Sequence, residues 1–138
     1  MKWILIVFLL FPVQNDFLTE LEWNNRVILL FAPSFPDGSV DNQLSSLKED
    51  KAGLNERDLR VFVIDEEGVE TMEGQRVINA NVEALRAQYN AGKAAFTFIL
   101  IGKDGGVKLR EKYLVDNQKL FSLIDSMPMR RREMKDQK

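Results

Sequence analysis

The chain has 138 residues, 45% of them hydrophobic and 29% charged, with a formal net charge of −2; this is the size and make-up of one globular domain able to bury a core without staples. It contains no cysteine and no histidine, which excludes disulfides, thiolate catalysis, Fe–S clusters, a Ser-His-Asp triad and imidazole ligation of zinc, copper or haem. Carboxylate acid–base work, lysine chemistry and an oxygen-ligand site for Ca²⁺ or Mg²⁺ remain open, while the near-neutral charge gives no reason to expect nucleic acid as a partner.

The first feature along the chain is WILIVFLLF, nine uninterrupted apolar residues (3–11) behind the single cation Lys2. A bilayer span needs about 20. The run therefore reads as the apolar region of a secretory signal over residues 1–14, and the protein as exported, to the periplasm or the extracellular space. A buried central strand is the competing assignment, since short apolar runs fit both. No small residue precedes a cut after Gln14 or Asn15, so the signal is cut elsewhere or retained as an N-terminal anchor. Only a retained segment implies a membrane.

The body, residues 15–128, reads as one domain, followed by a basic tail over residues 129–138. Residues 16–25 carry a faint helical pattern with Leu18, Leu21 and Trp23 as apolar positions. RVILLF (26–31) is a strand apolar throughout, hence covered on both faces. A Pro/Gly-rich loop follows, then a helix capped by Asp37 or Ser39, with Val40, Leu44, Leu47 and Leu54 on one face, ended by Gly53. LRVFVI (59–64) is a second strand. It begins about thirty residues after the first, the length of a strand–helix–strand unit, which makes the pair parallel through a right-handed crossover. An acidic loop over residues 65–74 leads to a helix capped by Asn81, with Val82, Leu85 and Tyr89 inward and Gly92 at its end. FTFILI (96–101) is the third strand, GKDGG (102–106) a hairpin turn, and residues 107–113 the fourth strand. Asp116 caps a last helix carrying Leu120, Phe121, Ile124 and Met127, and Pro128 stops it.

This order, β-α-β then α-β-β-α, predicts an α/β fold of thioredoxin type. The expected sheet is four-stranded and mixed, in order 2-1-3-4, with helices on both faces.

The segments RVILLFAPS, ERDLRVFVIDEEG, FTFILIGKDGGVKLR and LFSLIDSMPMRRREM resemble the peroxiredoxin-like domains of unknown function known as P-DUDES. These occur as small exported bacterial proteins and as modules of animal extracellular-matrix proteins with sushi repeats or of the coiled-coil-domain-containing type. The likeness runs from about Trp23 to Met134. It implies a thioredoxin-like fold and an exported location, and it brings no catalytic residues. Where a thioredoxin has its cysteine pair, the match places Phe35 and Gly38; where it has a cis-proline before the third strand, this chain has Phe96 or a neighbour.

Two patches stand out as candidate contacts. The hairpin gathers Lys103, Asp104, Lys108 and Arg110, either an anion- or partner-binding patch on a glycine-rich turn or an ordinary turn with solvated charges. The tail carries Arg130, Arg131 and Arg132. Residues 129–138 are net +3 and the rest of the chain is net −5, so the arginines either dock on an acidic polymer, an anionic lipid or a protein, or fold back on acidic stretches such as residues 66–73 or Glu56. The resemblance continues from Met127 into the tail, which favours fold-back. The five carboxylates of DEEGVETME (65–73) do not have EF-hand spacing and read as a solvated loop, and Ser34 lacks a histidine base. No catalytic residue, cofactor or metal is assigned. The leading expectation is a non-enzymatic, exported binding module without thiol redox chemistry, its partner a protein or an anionic envelope or extracellular polymer. The alternative is a small thiol-independent enzyme, which would show a pocket lined by two or more of Asp37, Asp65, Arg57 and Lys103 with shifted pKa values.

Overall fold

A computed structural model describes residues 16–137. The expected signal or anchor over residues 1–14 lies outside the described residues. Among the described residues, six helices and five strands follow in the order α1 (Asp16–Leu21), β1 (Arg26–Phe31), α2 (Ser39–Lys48), α3 (Lys51–Glu56), β2 (Leu59–Ile64), β3 (Val69–Thr71), α4 (Val82–Gln88), β4 (Thr97–Ile101), β5 (Val107–Glu111), α5 (Asn117–Asp125) and α6 (Pro128–Asp136).

The strands form one mixed sheet in the order β3-β2-β1-β4-β5. β1 pairs parallel with β2 and antiparallel with β4, and β4 pairs antiparallel with β5. The four expected strands thus have the expected neighbours and directions, and a fifth joins beside β2. All six residues of β1 are buried, as a central strand covered on both faces requires. Alternation divides the core accordingly. Val27, Leu29 and Phe31 pack on one face with Phe17 of α1 and Leu85 of α4. Ile28 and Leu30 pack on the other with Leu47, Leu54, Leu120 and Ile124 of α2, α3 and α5.

Five local readings are corrected. The sheet has five strands because residues 65–74 are not all loop. Asp65 Oδ1 accepts from the N–H groups of Glu67 and Gly68 at 2.8 and 3.0 Å, closing a tight turn that lays Val69, fully buried, opposite Ile64. The helix expected to end at Gly53 is two helices. Asp50 caps the second by accepting from Gly53 N–H at 2.8 Å, and Gly53 lies inside it. Trp23 is not a core position but 63% exposed, with φ 69° in the turn that closes α1. The basic tail is a helix: Pro128 both ends α5 and occupies the first turn of α6, where its missing N–H costs nothing. The last expected strand also ends early, at Glu111.

Gln43 ties α2 to the segment between β5 and α5. Its buried amide donates to Val115 O at 2.9 Å and accepts from Val115 N–H at 2.8 Å, pairing both backbone groups of a buried loop residue.

Candidate functional site

The strand-to-helix junction after β1, where the thioredoxin plan holds its thiols, has Ala32, Pro33, Ser34 and Phe35. Ser34 Oγ donates to Glu66 Oε1 at 3.0 Å, and Phe35 is 88% exposed. Asp37 accepts from Ser39 N–H at 2.9 Å, and Gly38, at φ 81°, precedes the first turn of α2. A concavity of about 340 Å³ is lined here by Pro33, Ser34, Asp37, Asp65 and Glu66, among others. Asp37 and Asp65 therefore share a hollow. Hydrogen bonds from the Ser39 side chain and backbone hold Asp37 below the usual carboxylate range, the direction that suits a solvated cap and not a general acid. Among the described residues, no three His, Cys, Asp or Glu side chains converge as metal ligands would. Arg57 and Lys103 sit at the opposite pole.

That opposite pole is assembled by strand register. Arg26 opens β1 opposite Leu59, so Asp58 lies beside it. β4 runs antiparallel and ends at Ile101 opposite Val27, so the β4–β5 turn, with Lys103, closes over the same end. Arg26, at 1% exposure, is buried with its charge on a central strand and must be paired. Glu133 of α6 meets it as a fork: Oε2 accepts from Nη1 at 3.1 Å and Oε1 from Nη2 at 3.2 Å. Lys103 Nζ donates to Glu133 Oε1 at 2.5 Å and to Asp58 Oδ2 at 2.8 Å.

A second cluster adjoins the first. Arg130, also 1% exposed, donates through Nε to Asp125 Oδ1 at 3.0 Å, through Nη2 to Glu56 Oε1 at 3.0 Å and through Nη1 to the Glu56 carbonyl at 3.1 Å. Its Nη1 lies 3.7 Å from Glu133 Oε2, linking the two clusters. Arg57 grips the other side of Asp125 at 3.0 and 2.8 Å and lies 4.1 Å over the Phe121 ring. Burial alone would raise the carboxyls of Asp125 and Glu133, but hydrogen bonds from Arg57 and Arg130, and from Arg26 and Lys103, outweigh it and hold both low. Burial likewise works against the Arg130 charge and is outweighed by Asp125 and Glu56. Four cations and four carboxylates thus clamp α6 to the sheet end.

The residues singled out in the sequence separate into four groups. Lys103 and Arg130 belong to this clamp, Arg130 by folding back on Glu56. Lys108 Nζ pairs with Asp104 at 2.9 Å, and Asp104 also accepts from Gly106 N–H at 3.0 Å; that backbone bond, then Lys108, holds its carboxyl low. Arg131 and Arg132 are exposed and in no ion pair among the described residues. Arg110 lies elsewhere. A register shift between Leu100 and Ile101 lets Lys108 slip out of the ladder, so Lys108 lines the α5–α6 side while Arg110 sits opposite Ile99, by Gly92 and Thr97. Between the turn and the α5–α6 corner runs a groove of about 450 Å³. Its walls are Leu123, Met127 and Met129 on one side and Arg26, Lys103 and Lys108 on the other.

Arg26, Glu133, Asp58 and Asp125 were missed by sequence reasoning. The available signal was a charged residue opening a strand otherwise apolar: a guanidinium buried there demands a carboxylate.

The fold has a counterpart among solved structures. The reduced 2-Cys peroxiredoxin of Plasmodium vivax superposes with a TM-score of 0.57 at 15% identity, over 83% of this chain and 84% of that one; this is a likeness of fold. Coiled-coil domain-containing protein 80 of Danio rerio is 27% identical over 136 residues, covering 87% of this chain and 16% of that protein. This chain therefore spans about one sixth of that relative's length. Residues 17–133 match the family model described as a domain of unknown function, DUF4174. With the match spanning most of its length, the protein belongs to the DUF4174 family, built on a thioredoxin-like fold.

Proposed function

We propose that this protein is an exported, non-enzymatic binding module that carries a thioredoxin-like scaffold without thiol chemistry and docks on an anionic polymer of the cell envelope or extracellular space. The observation that carries the reading is the division of labour along α6. Arg130 is consumed by the clamp, while Arg131 and Arg132 stand exposed on the same helix, in no ion pair among the described residues. A helix locked in place presents its free cations in a fixed array, which lowers the ordering cost of binding. Export rests on the apolar run over residues 3–11 behind Lys2.

The test is retention of the full chain on immobilised dextran sulfate under a salt gradient. The wild type is expected to be retained and the R131A/R132A variant to elute at clearly lower salt, with Phe35→Ala, at the other pole, unchanged. Co-elution of the double variant with the wild type overturns the reading.

A thiol-independent enzyme is the second reading, favoured by the shared hollow of Asp37 and Asp65. It requires an activity that Asp65→Asn abolishes without unfolding the chain.

A further inference from the structure

The groove between the β4–β5 turn and the α5–α6 corner has the attributes of a small-molecule site. Its volume of about 450 Å³ lies within the usual range for such sites, which are concave and mostly apolar with a few fixed polar groups. Its apolar wall includes two methionines, Met127 and Met129, whose unbranched side chains adapt to a flexible occupant. Its polar wall carries three cations, Arg26, Lys103 and Lys108, and one carboxylate, Asp104, which Lys108 neutralises at 2.9 Å.

Two of those cations hold donors in reserve. Arg26 has five N–H groups and Lys103 three. Bonds to Arg57 O and to Glu133 use three on Arg26, and bonds to Asp58 and Glu133 use two on Lys103. The Arg26 Nε–H, one Nη2–H and one Lys103 Nζ–H have no acceptor among the described residues. Both side chains are more than nine-tenths buried, yet Arg26 Nε is not among the fully enclosed polar atoms without a partner, so its free N–H stays reachable from outside. Lys108, partly exposed, is paired with Asp104 and lines the same wall.

We propose that the groove binds a free, single-chain amphiphile with a carboxylate head, a medium-chain fatty acid. The alkyl chain lies along Leu123, Met127 and Met129, and the carboxylate accepts from the spare donors of Arg26 and Lys103. A protein partner is the poorer fit, since a stable one needs about 800 Å² on each side, and an inorganic anion leaves the apolar wall without a role. This goes beyond the polymer-docking reading: Arg131 and Arg132 do not line the groove, so the two fail separately.

The experiment is calorimetric titration of the full chain with decanoate below its micellar concentration, with acetate and decyltrimethylammonium as comparators and amide NMR to locate the contact. Decanoate is expected to bind saturably, one to one, and to shift the Gly102 and Met129 amides. Acetate is expected to show no saturable binding, and decyltrimethylammonium to bind about tenfold or more weakly, the equivalent of one lost charge-assisted hydrogen bond. Met129→Trp, which fills the groove, should weaken decanoate by about tenfold or more, and R131A/R132A should leave it unchanged. The proposal is overturned if decanoate shows no saturable binding, if the cationic amphiphile binds as well, or if the shifts map only to other residues, the apolar run 3–11 included. Binding to phosphatidylglycerol vesicles without binding to free decanoate also overturns it. The wild-type comparisons stand whether or not Met129→Trp folds.

Discussion

Replacing Arg130, Arg131 and Arg132 by alanine, one at a time, separates the clamp from the exposed face of α6. Arg130 is 1% exposed and makes three hydrogen bonds to the rest of the domain. Removing one member of a buried ion pair costs about 3–5 kcal/mol. Two features place Arg130→Ala at the lower end. Asp125 keeps both bonds from Arg57, and Glu56, at 54% side-chain exposure, is rehydrated when its partner leaves. A loss of about 3 kcal/mol is expected, lowering the thermal midpoint by about 10 °C for a domain of this size. Arg131→Ala and Arg132→Ala are exposed substitutions without partners and should stay within about 0.5 kcal/mol of the parent. Urea unfolding followed by circular dichroism reads all three, with the slope unchanged so that midpoints report stability alone. Three equal midpoints would show that α6 is not clamped, and the reasoning fails.

Three further outcomes follow from the same geometry. Gln43→Leu strands the N–H and C=O of buried Val115 and should cost about 3 kcal/mol by urea titration; a cost under about 1 kcal/mol contradicts the pairing. Asp125 and Glu133 are held below their ordinary 3.8 and 4.5, so the unfolded chain binds more protons at acid pH. Their contribution is complete above these ordinary values and is lost as pH falls through the lowered folded ones; a midpoint that does not fall on acidification contradicts this. Deleting residues 1–14 should leave a folded protein confined to the cytoplasm, as fractionation and circular dichroism would show, whereas an unfolded product would make that run a core strand.

The sheet was legible because its signals are local and strong. RVILLF and LRVFVI are too apolar and β-branched for anything but covered strands, their spacing demands a crossover, and GKDGG can hardly be other than a turn. β3 was not legible: three residues, VET, give no period to read, and the carboxylates around them look like solvent until Asp65 closes its turn. The break between α2 and α3 was masked because Leu47 and Leu54 remain in phase across it, both buried on the same cluster. The clamp escaped for a different reason. Arg26 and Glu133 are 107 residues apart, and only the parallel register of β1 and β2, with α6 returning beneath them, makes them neighbours. Half of it was foreseeable, since arginines beyond Pro128 facing an acidic body imply fold-back, but the choice of Arg130 over Arg131 and Arg132 depends on the helix that Pro128 starts.

The central claim is that a thioredoxin-like scaffold persists here without the chemistry usually built on it. Its most direct test is turnover of hydrogen peroxide and of insulin disulfides by the purified full chain, with activity followed across successive chromatographic steps. A chain with no thiol has no nucleophile for either exchange, and the rate should equal that of buffer at every step. Turnover that co-purifies with the protein and scales with its concentration would contradict the claim.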